Sequence, residues 1–317
     1  MSNTSRNFVN NPDQYIYVIS DPHMGDGGWR DDFAVGDREQ KFLAFLDMVE
    51  KHHAKLIING DLFEFWQLSI SKVLSTRKNI IDKLSSMDVE YIIGNHEYDF
   101  KYFIGTDFLK HPLLSKLQGP MEKVIGGKRF KFLHGHEYDS FNNTDNPTWG
   151  HILSIFAGIY KDQLKSQLTK KGKYMEEMLE RYGSKAFTYL NRFIWIFQGL
   201  LGVQADTTNP WNQMSPSVNP GRLREHLLQI QGDREKEGYD YAIVGHTHIP
   251  GKFKDWYFNS GSWKTEHNNF LIISPSGKVK IYEWTDNGPK EVNIILNNFS
   301  LRGKFGKLGK ITKGKKP

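Results

Sequence analysis

Five short runs of Gly, Asp, Asn and His, each directly behind an apolar strand-like segment, constrain this chain more than any other feature. Asp21-Pro22-His23 follows Tyr15–Ser20. Asn59-Gly60-Asp61 follows Lys55–Ile58, and Gly94-Asn95-His96-Glu97 follows Tyr91–Ile93. His134-Gly135-His136 follows Phe130–Leu133, and Gly245-His246-Thr247-His248 follows Tyr241–Val244. In open α/β sheets, ligands bind outside the carboxyl ends of the strands, so five such ends can converge on one crevice. The glycines let the backbone turn sharply there. Asp supplies a hard anionic oxygen able to bridge two cations, neutral imidazole supplies nitrogen, and the Asn amide oxygen adds a ligand without charge. Any one run is common by chance, and its histidines could simply be hydrogen-bonded. All five, in order and at strand ends, predict a metal site.

The remaining texture supports an α/β fold. A helical pattern over Gln40–His52 places Phe42, Phe45, Leu46 and Val49 on one face, and a second helix is predicted over Ile80–Met87. Strands alternating with helices give this class. Short strands are predicted again at Phe270–Ile273, Lys278–Trp284 and Glu291–Leu296. Between these regions the texture is helical. Leu164, Leu168, Tyr174, Met175, Met178, Leu179 and Tyr182 suggest amphipathic helices. Ala186–Leu201 is a predicted helix rich in aromatics, Asn209–Pro220 reads as a loop, and Arg222–Gln231 as a further helix. The expected organisation is a core of residues 1–139 and 237–298, a helical insertion over 140–236 that caps it, and a basic flexible tail over 299–317.

Composition limits the chemistry. The 317 residues include no cysteine, which excludes disulfides and thiolate metal sites. Metals must then be held by N and O donors, which suit Mn²⁺, Fe or Zn²⁺. The net charge of +6 favours anionic partners, and part of it lies in the tail, at Arg302, Lys304, Lys307, Lys310, Lys313, Lys315 and Lys316. That tail reads first as solubilising and second as an anchor for an anionic surface. Nucleic acid is a weaker partner class, because no dedicated binding module is visible. No apolar run reaches the roughly 18–20 residues of a membrane span, and Met1–Gln14 lacks the apolar stretch of a signal peptide. A cytoplasmic protein is expected, with peripheral membrane contact through insertion or tail as the alternative.

In this order the runs resemble the calcineurin-like metallophosphoesterase superfamily, whose pattern is Asp-x-His, Gly-Asp, Gly-Asn-His-Asp/Glu, His and Gly-His-x-His. The resemblance covers residues 15–139 and 238–296. It implies a four-layer αββα sandwich and two divalent ions, with Mn²⁺ first and Fe or Zn²⁺ as alternatives. Asp21, His23, Asp61 and His248 would bind one ion; Asp61, Asn95, His134 and His246 would bind the other. His136 competes with His134 for the fourth position, and the family pattern selects His134. The implied reaction is hydrolysis of a phosphoester or phosphoanhydride. A hydroxide bridging the metals attacks phosphorus, Asn95 and His96 offset charge on the phosphoryl oxygens, and His96 protonates the leaving oxygen. Glu64 stands where the family often has Asp, which leaves its supporting role open.

Two segments, Gly60–Trp66 and Asn259–Trp263, look like the branch containing UDP-2,3-diacylglucosamine pyrophosphatases of lipid A synthesis. In that branch a helical insertion holds acyl chains, and the aromatics of Phe187–Leu201 could do so here or merely pack the insertion. His96 and His136 depart from that branch, which typically has Arg and Asp at these places. The expected substrate is therefore a phosphate compound, lipid-linked or nucleotide, with that pyrophosphatase activity and a nuclease of the same superfamily as alternatives. Arg30, in the Gly25–Asp32 loop, is either a phosphate contact or a solvent-facing side chain.

Overall fold

Four of the strands that carry the five runs, Ile16–Ile19, Lys55–Asn59, Val89–Ile92 and Tyr241–Val244, are mostly apolar because both of their faces are covered, whereas Lys128–Phe132 alternates charged and apolar residues. The computed structural model describes residues 13–106, 110–139, 220–264 and 268–296. The helices predicted between 164 and 201, with their aromatics, and the basic tail lie outside the described residues. In chain order the strands are β1 (Ile16–Ile19), β2 (Lys55–Asn59), β3 (Val89–Ile92), β4 (Leu117–Gln118), β5 (Met121–Ile125), β6 (Lys128–Phe132), β7 (Tyr241–Val244), β8 (Gly251–Phe253), β9 (Tyr257–Asn259), β10 (Asn269–Ile273), β11 (Val279–Thr285) and β12 (Gly288–Val292). The helices are α1 (Arg38–Lys51), α2 (Ile70–Thr76), α3 (Lys78–Ser86) and α4 (Pro220–Glu237).

The strands form two mixed sheets. One has the order β12-β11-β10-β1-β2-β3-β4, the other β5-β6-β7-β9-β8. β1, β2 and β3 run parallel, as do β6, β7 and β9. Alternate side chains of a strand point to opposite faces, and that alternation sorts the core into three parts. Tyr17, Ile19, Leu56, Ile58 and Tyr91 face Phe42, Phe45, Leu46, Ile80 and Leu84 of α1 and α3. Ile16, Val18, Ile57 and Ile92 face Phe130, Phe132, Ile243 and Phe258 of the other sheet. Ala242 and Val244 turn outward onto Leu223, Leu227 and Ile230 of α4. Helices, sheet, sheet and helix thus give the layered α/β sandwich that the resemblance implies.

Where structure and sequence reading differ, the cause is local. α2 buries only Val73, so it offers no apolar period to detect. β4, β8 and β9 are two or three residues long, again too short for a period. The last strand, expected over Glu291–Leu296, is instead Gly288–Val292, because the tight hairpin pairs Thr285 with Gly288. The residues after it leave that sheet. The Lys252 amide donates to the Ile294 carbonyl at 2.9 Å and the Leu296 amide to the Lys252 carbonyl at 2.8 Å. α4 falls within the range expected for the insertion, yet its apolar residues at i, i+4 and i+7 pack on the second sheet. No helix among the described residues is long and apolar enough to cross a membrane.

One residue ties the two sheets together beneath the crevice. The Asn59 amide donates to the Leu133 carbonyl at 2.8 Å and to the Ile243 carbonyl at 3.1 Å, all buried. Replacing Asn59 by Ala removes the side-chain donor to the Leu133 carbonyl, at about 1–3 kcal/mol, and leaves the Ile243 carbonyl with the Leu133 amide at 3.2 Å, a smaller loss. Urea denaturation of N59A is expected to show a loss of roughly 2–4 kcal/mol; a loss below about 0.5 kcal/mol would show that Asn59 is not a tie.

Candidate metal centre

The five strand ends meet at the seam between the sheets, β1, β2 and β3 contributing from one side and β6 and β7 from the other. The backbone there is bent out of its usual range. Asp21, His23, Asp61, His246 and His248 all adopt positive φ, between 46° and 63°. A non-glycine residue in this region carries strain of about 1–2 kcal/mol, and such strain clusters at functional sites. Two glycines create the necessary space. A Cβ at Gly60, where φ is 91°, would lie 2.3 Å from Nδ1 of His134; one at Gly94 would lie 2.1 Å from Oδ1 of Asp61.

Asp61 is the hub of the resulting cluster. Its Oδ2 lies 3.2 Å from Nε2 of His134, 3.6 Å from Nε2 of His23 and 4.0 Å from Nε2 of His96. Asp21 Oδ1 lies 3.2 Å from Nε2 of His248 and 3.7 Å from Nε2 of His23. Asn95 Oδ1 is 3.1 Å from Nε2 of His134. Three groups have ligand atoms within 4.8 Å of one another: Asp21 with His23 and His248, Asp61 with His134 and His246, and His23 with Glu64 and His96. The donor set fits divalent cations. Nε2 of His23 and Nε2 of His248 face each other at 3.1 Å, and the buried Oδ1 of Asp21 has no hydrogen-bond donor.

His134 is the member of the fourth run that joins the cluster. Its Nδ1 donates to the Asn59 carbonyl at 2.8 Å, so Nε2 faces Asp61 and Asn95. His136 is also buried, but its Nδ1 lies toward Glu137 at 3.6 Å. His96 sits at the edge, its side chain 12% exposed. Its Nδ1 is 2.9 Å from Oε1 of Glu64, and its ring stacks on Trp66 at 4.1 Å between centroids. An ionised carboxylate only accepts hydrogen bonds, so Glu64 holds the Nδ1–H tautomer and leaves Nε2 for chemistry. The longer arm of Glu, compared with the Asp common in the family, thus reaches the histidine it supports.

Electrostatics follow from burial and crowding. Burial alone would raise the carboxyls of Asp21 and Asp61. The surrounding imidazoles, His248 and His134 for Asp21 and His134 and His96 for Asp61, outweigh it and hold both well below the usual range. Burial likewise opposes charge on His134 and His23, yet the nearby carboxylates push them up to about 10 and about 9. Burial draws His248 and His136 down to about 4. Glu97 is raised to about 7 by burial and by the charge of Asp61.

Sequence reading left three residues of the surroundings without a role. Glu97 accepts from the amides of Asp61 at 3.0 Å, Phe63 at 2.8 Å and Gly94 at 3.1 Å, fixing the second and third turns to each other. Its place in the third run was the available signal. Asp139 lies 3.0 Å from Nε2 of His246, and His226 of α4 lies parallel to the His246 ring at 6.3 Å; no spacing rule marks either. Other candidates sit elsewhere. Arg30 donates to the Gln67 carbonyl at 3.3 Å. Its glycine-rich loop is pinned by buried Asp31, which accepts from the amides of Gly25, Gly27, Phe33 and Ala34 and pairs with Arg77. Trp263 is fully buried and packs against Phe42 and Phe45.

No curated protein matches the sequence. Among solved structures, the chain is similar to a protein from Streptococcus pneumoniae TIGR4 described as an uncharacterized predicted phosphoesterase, at 11% identity and a TM-score of 0.34, covering 88% of this chain and 96% of that one. It is similar also to vacuolar protein sorting 29 from Cryptosporidium parvum, at 11% identity and a TM-score of 0.39, covering 88% and 95%. These likenesses are too low to carry weight. The sequence itself matches the calcineurin-like phosphoesterase family over residues 15–250, most of its length. The chain belongs to the calcineurin-like phosphoesterase family.

Proposed function

We propose that this metal-dependent phosphoesterase works with two divalent ions. One is held by Asp21, His23, Asp61 and His248, the other by Asp61, Asn95, His134 and His246, and His96 is the general acid. The observation that carries the reading is the position of Asp61 Oδ2, within 3.6 Å of Nε2 of both His23 and His134. One carboxylate oxygen thereby faces ligands of both groups. The oxygen and imidazole donors suit Mn²⁺ first, with Fe or Zn²⁺ as alternatives. When bound, a pair of such ions supplies charge neutralisation at the phosphoryl oxygens and a more acidic water.

The protein's own groups then have separable tasks. A water oxygen forms the new bond to phosphorus while the bond to the leaving oxygen breaks. His96 enters doubly protonated, delivers its Nε2 proton to that leaving oxygen and is left as the neutral Nδ1–H tautomer that Glu64 holds, and the proton released by the attacking water recharges Nε2 through solvent. Trp66 holds the imidazole plane from one side. Asn95, through its amide, orients the phosphoryl group as well as its cation.

The substrate proposed is a phosphodiester or phosphoanhydride. Support for a cap comes from its roots: Asp139, the last described residue before the insertion, touches His246. A lipid-linked nucleotide diphosphate is the narrower reading, supported by the Gly60–Trp66 segment. Hydrolysis assays with Mn²⁺ should use bis-p-nitrophenyl phosphate, p-nitrophenyl phosphate, and UDP-sugars with and without acyl chains. Turnover of the diester or of a UDP-sugar above the monoester is expected. Activity on the monoester alone would overturn the diester reading, and activity only on acylated UDP-sugars would establish the narrower one.

His96→Ala is expected to lower kcat roughly 10²–10⁴-fold while the protein takes up the same amount of metal. Equal turnover in wild type and variant, with metal content matched, would remove His96 from the mechanism. Metal loading should also depend on pH in a defined direction. At neutral pH His134 and His23, with values of about 10 and about 9, hold protons that cations must displace. Their protonation competes with metal, so affinity should rise as pH rises toward that range and fall below neutrality. Titration calorimetry in buffers of different ionisation enthalpy should reveal net proton release on Mn²⁺ binding; identical heats in all buffers would refute this.

A further inference from the structure

Asp139 lies outside the five runs, at the end of the short turn His136–Tyr138, and is buried. Its Oδ2 is 3.0 Å from Nε2 of His246, which is itself buried. An ionised carboxylate can only accept, so Nε2 of His246 carries the proton and Nδ1 keeps its lone pair. The backbone at His246 is fixed separately, by its amide donating to Oδ2 of Asp21 at 2.9 Å and by its φ of 63°. That leaves the ring's rotation about its own axis, a soft two-fold torsion, to be set by what the ring nitrogens touch. The ring of His226 lies nearly parallel to it, 6.3 Å away between centroids.

We infer that Asp139 is a positioning residue for the cation shared by Asp61, His134 and His246: it selects the Nε2–H tautomer and the orientation of His246, which leaves Nδ1 as the ligand atom. The inference rests on the metal-centre reading above. Carboxylates paired with a ligand histidine act in this way, and their loss typically weakens metal binding 10–100-fold. The other group, Asp21 with His23 and His248, gathers its ligand atoms without His246. Its cation should therefore be held as before.

The test compares wild type, D139N and D139E by chelator competition with Mn²⁺ near neutral pH. The visible spectrum of Co²⁺-loaded protein and the melting temperature of the cation-free protein accompany it. Asn is isosteric and still accepts a hydrogen bond, but it is neutral; Glu restores the charge on a longer arm. The expected result is one tightly held Mn²⁺ in D139N and a second held roughly 10–100-fold more weakly. An altered Co²⁺ band and partial recovery in D139E should accompany it. Equal affinities in wild type and D139N overturn the role of Asp139. So does a fall in the cation-free melting temperature with affinities unchanged, which is what mere packing would give. A wild-type protein that takes up no divalent cation overturns the metal-centre reading itself, and that outcome is recognisable before any variant is made.

Discussion

The buried negative charge of Asp61 organises the centre of this protein. A carboxylate at 1% exposure is costly unless its surroundings compensate. Here compensation comes from three imidazoles and the His96 amide at 2.9 Å. Those partners lie on β1, β3 and β6, so one side chain draws three strand ends together. Asn59, two residues earlier on the same strand, joins the sheets by its amide. Sheet packing and site assembly are thus consequences of one short segment, Asn59-Gly60-Asp61.

The same crowding explains the strain. Five site residues hold positive φ because the chain must turn at the strand end and present a side chain inward at once. Glycine could adopt these angles freely, but it has no ligand to offer. The glycines instead stand where a neighbour's side chain fills the space of a Cβ. At Gly60 the neighbour is His134, and at Gly94 it is Asp61. At Gly245 it is Asp21, with Ser20, so in three of the runs a glycine makes room for a side chain of another run, which is why the runs are informative only as a set.

Much of this was legible in the sequence for a physical reason. Strands buried on both faces read as short continuous apolar runs, and α1 carries a full helical period, with Phe42, Phe45, Leu46 and Val49 buried as its spacing predicts. The site runs were legible because metal ligation restricts residue type sharply. What stayed hidden depends on contacts made across the fold. Asp139 looks like any Asp in a polar stretch, and His226 like any His on a mixed helix. Glu64 was visible but ambiguous, because whether its longer arm reaches His96 is a matter of a single methylene. The short edge strands are set by their neighbours and have no period of their own.

The roots of the insertion carry a further consequence. The chain leaves the described core at Asp139, in contact with His246, and returns through α4, whose His226 lies beside the same ring. Pro220 is six positions before His226, about 9 Å along a helix at 1.5 Å per residue. Tyr138 donates to Asp233 on α4, clasping the outgoing segment to the returning helix. The described residues on either side of 140–219, Asp139 and those of α4, therefore both lie beside His246. His96, stacked on Trp66 and supported by Glu64 from the β2 and β3 turns, belongs to the other sheet. The surroundings of His246 and those of His96 are thus built on different sheets, with Asp61 between them.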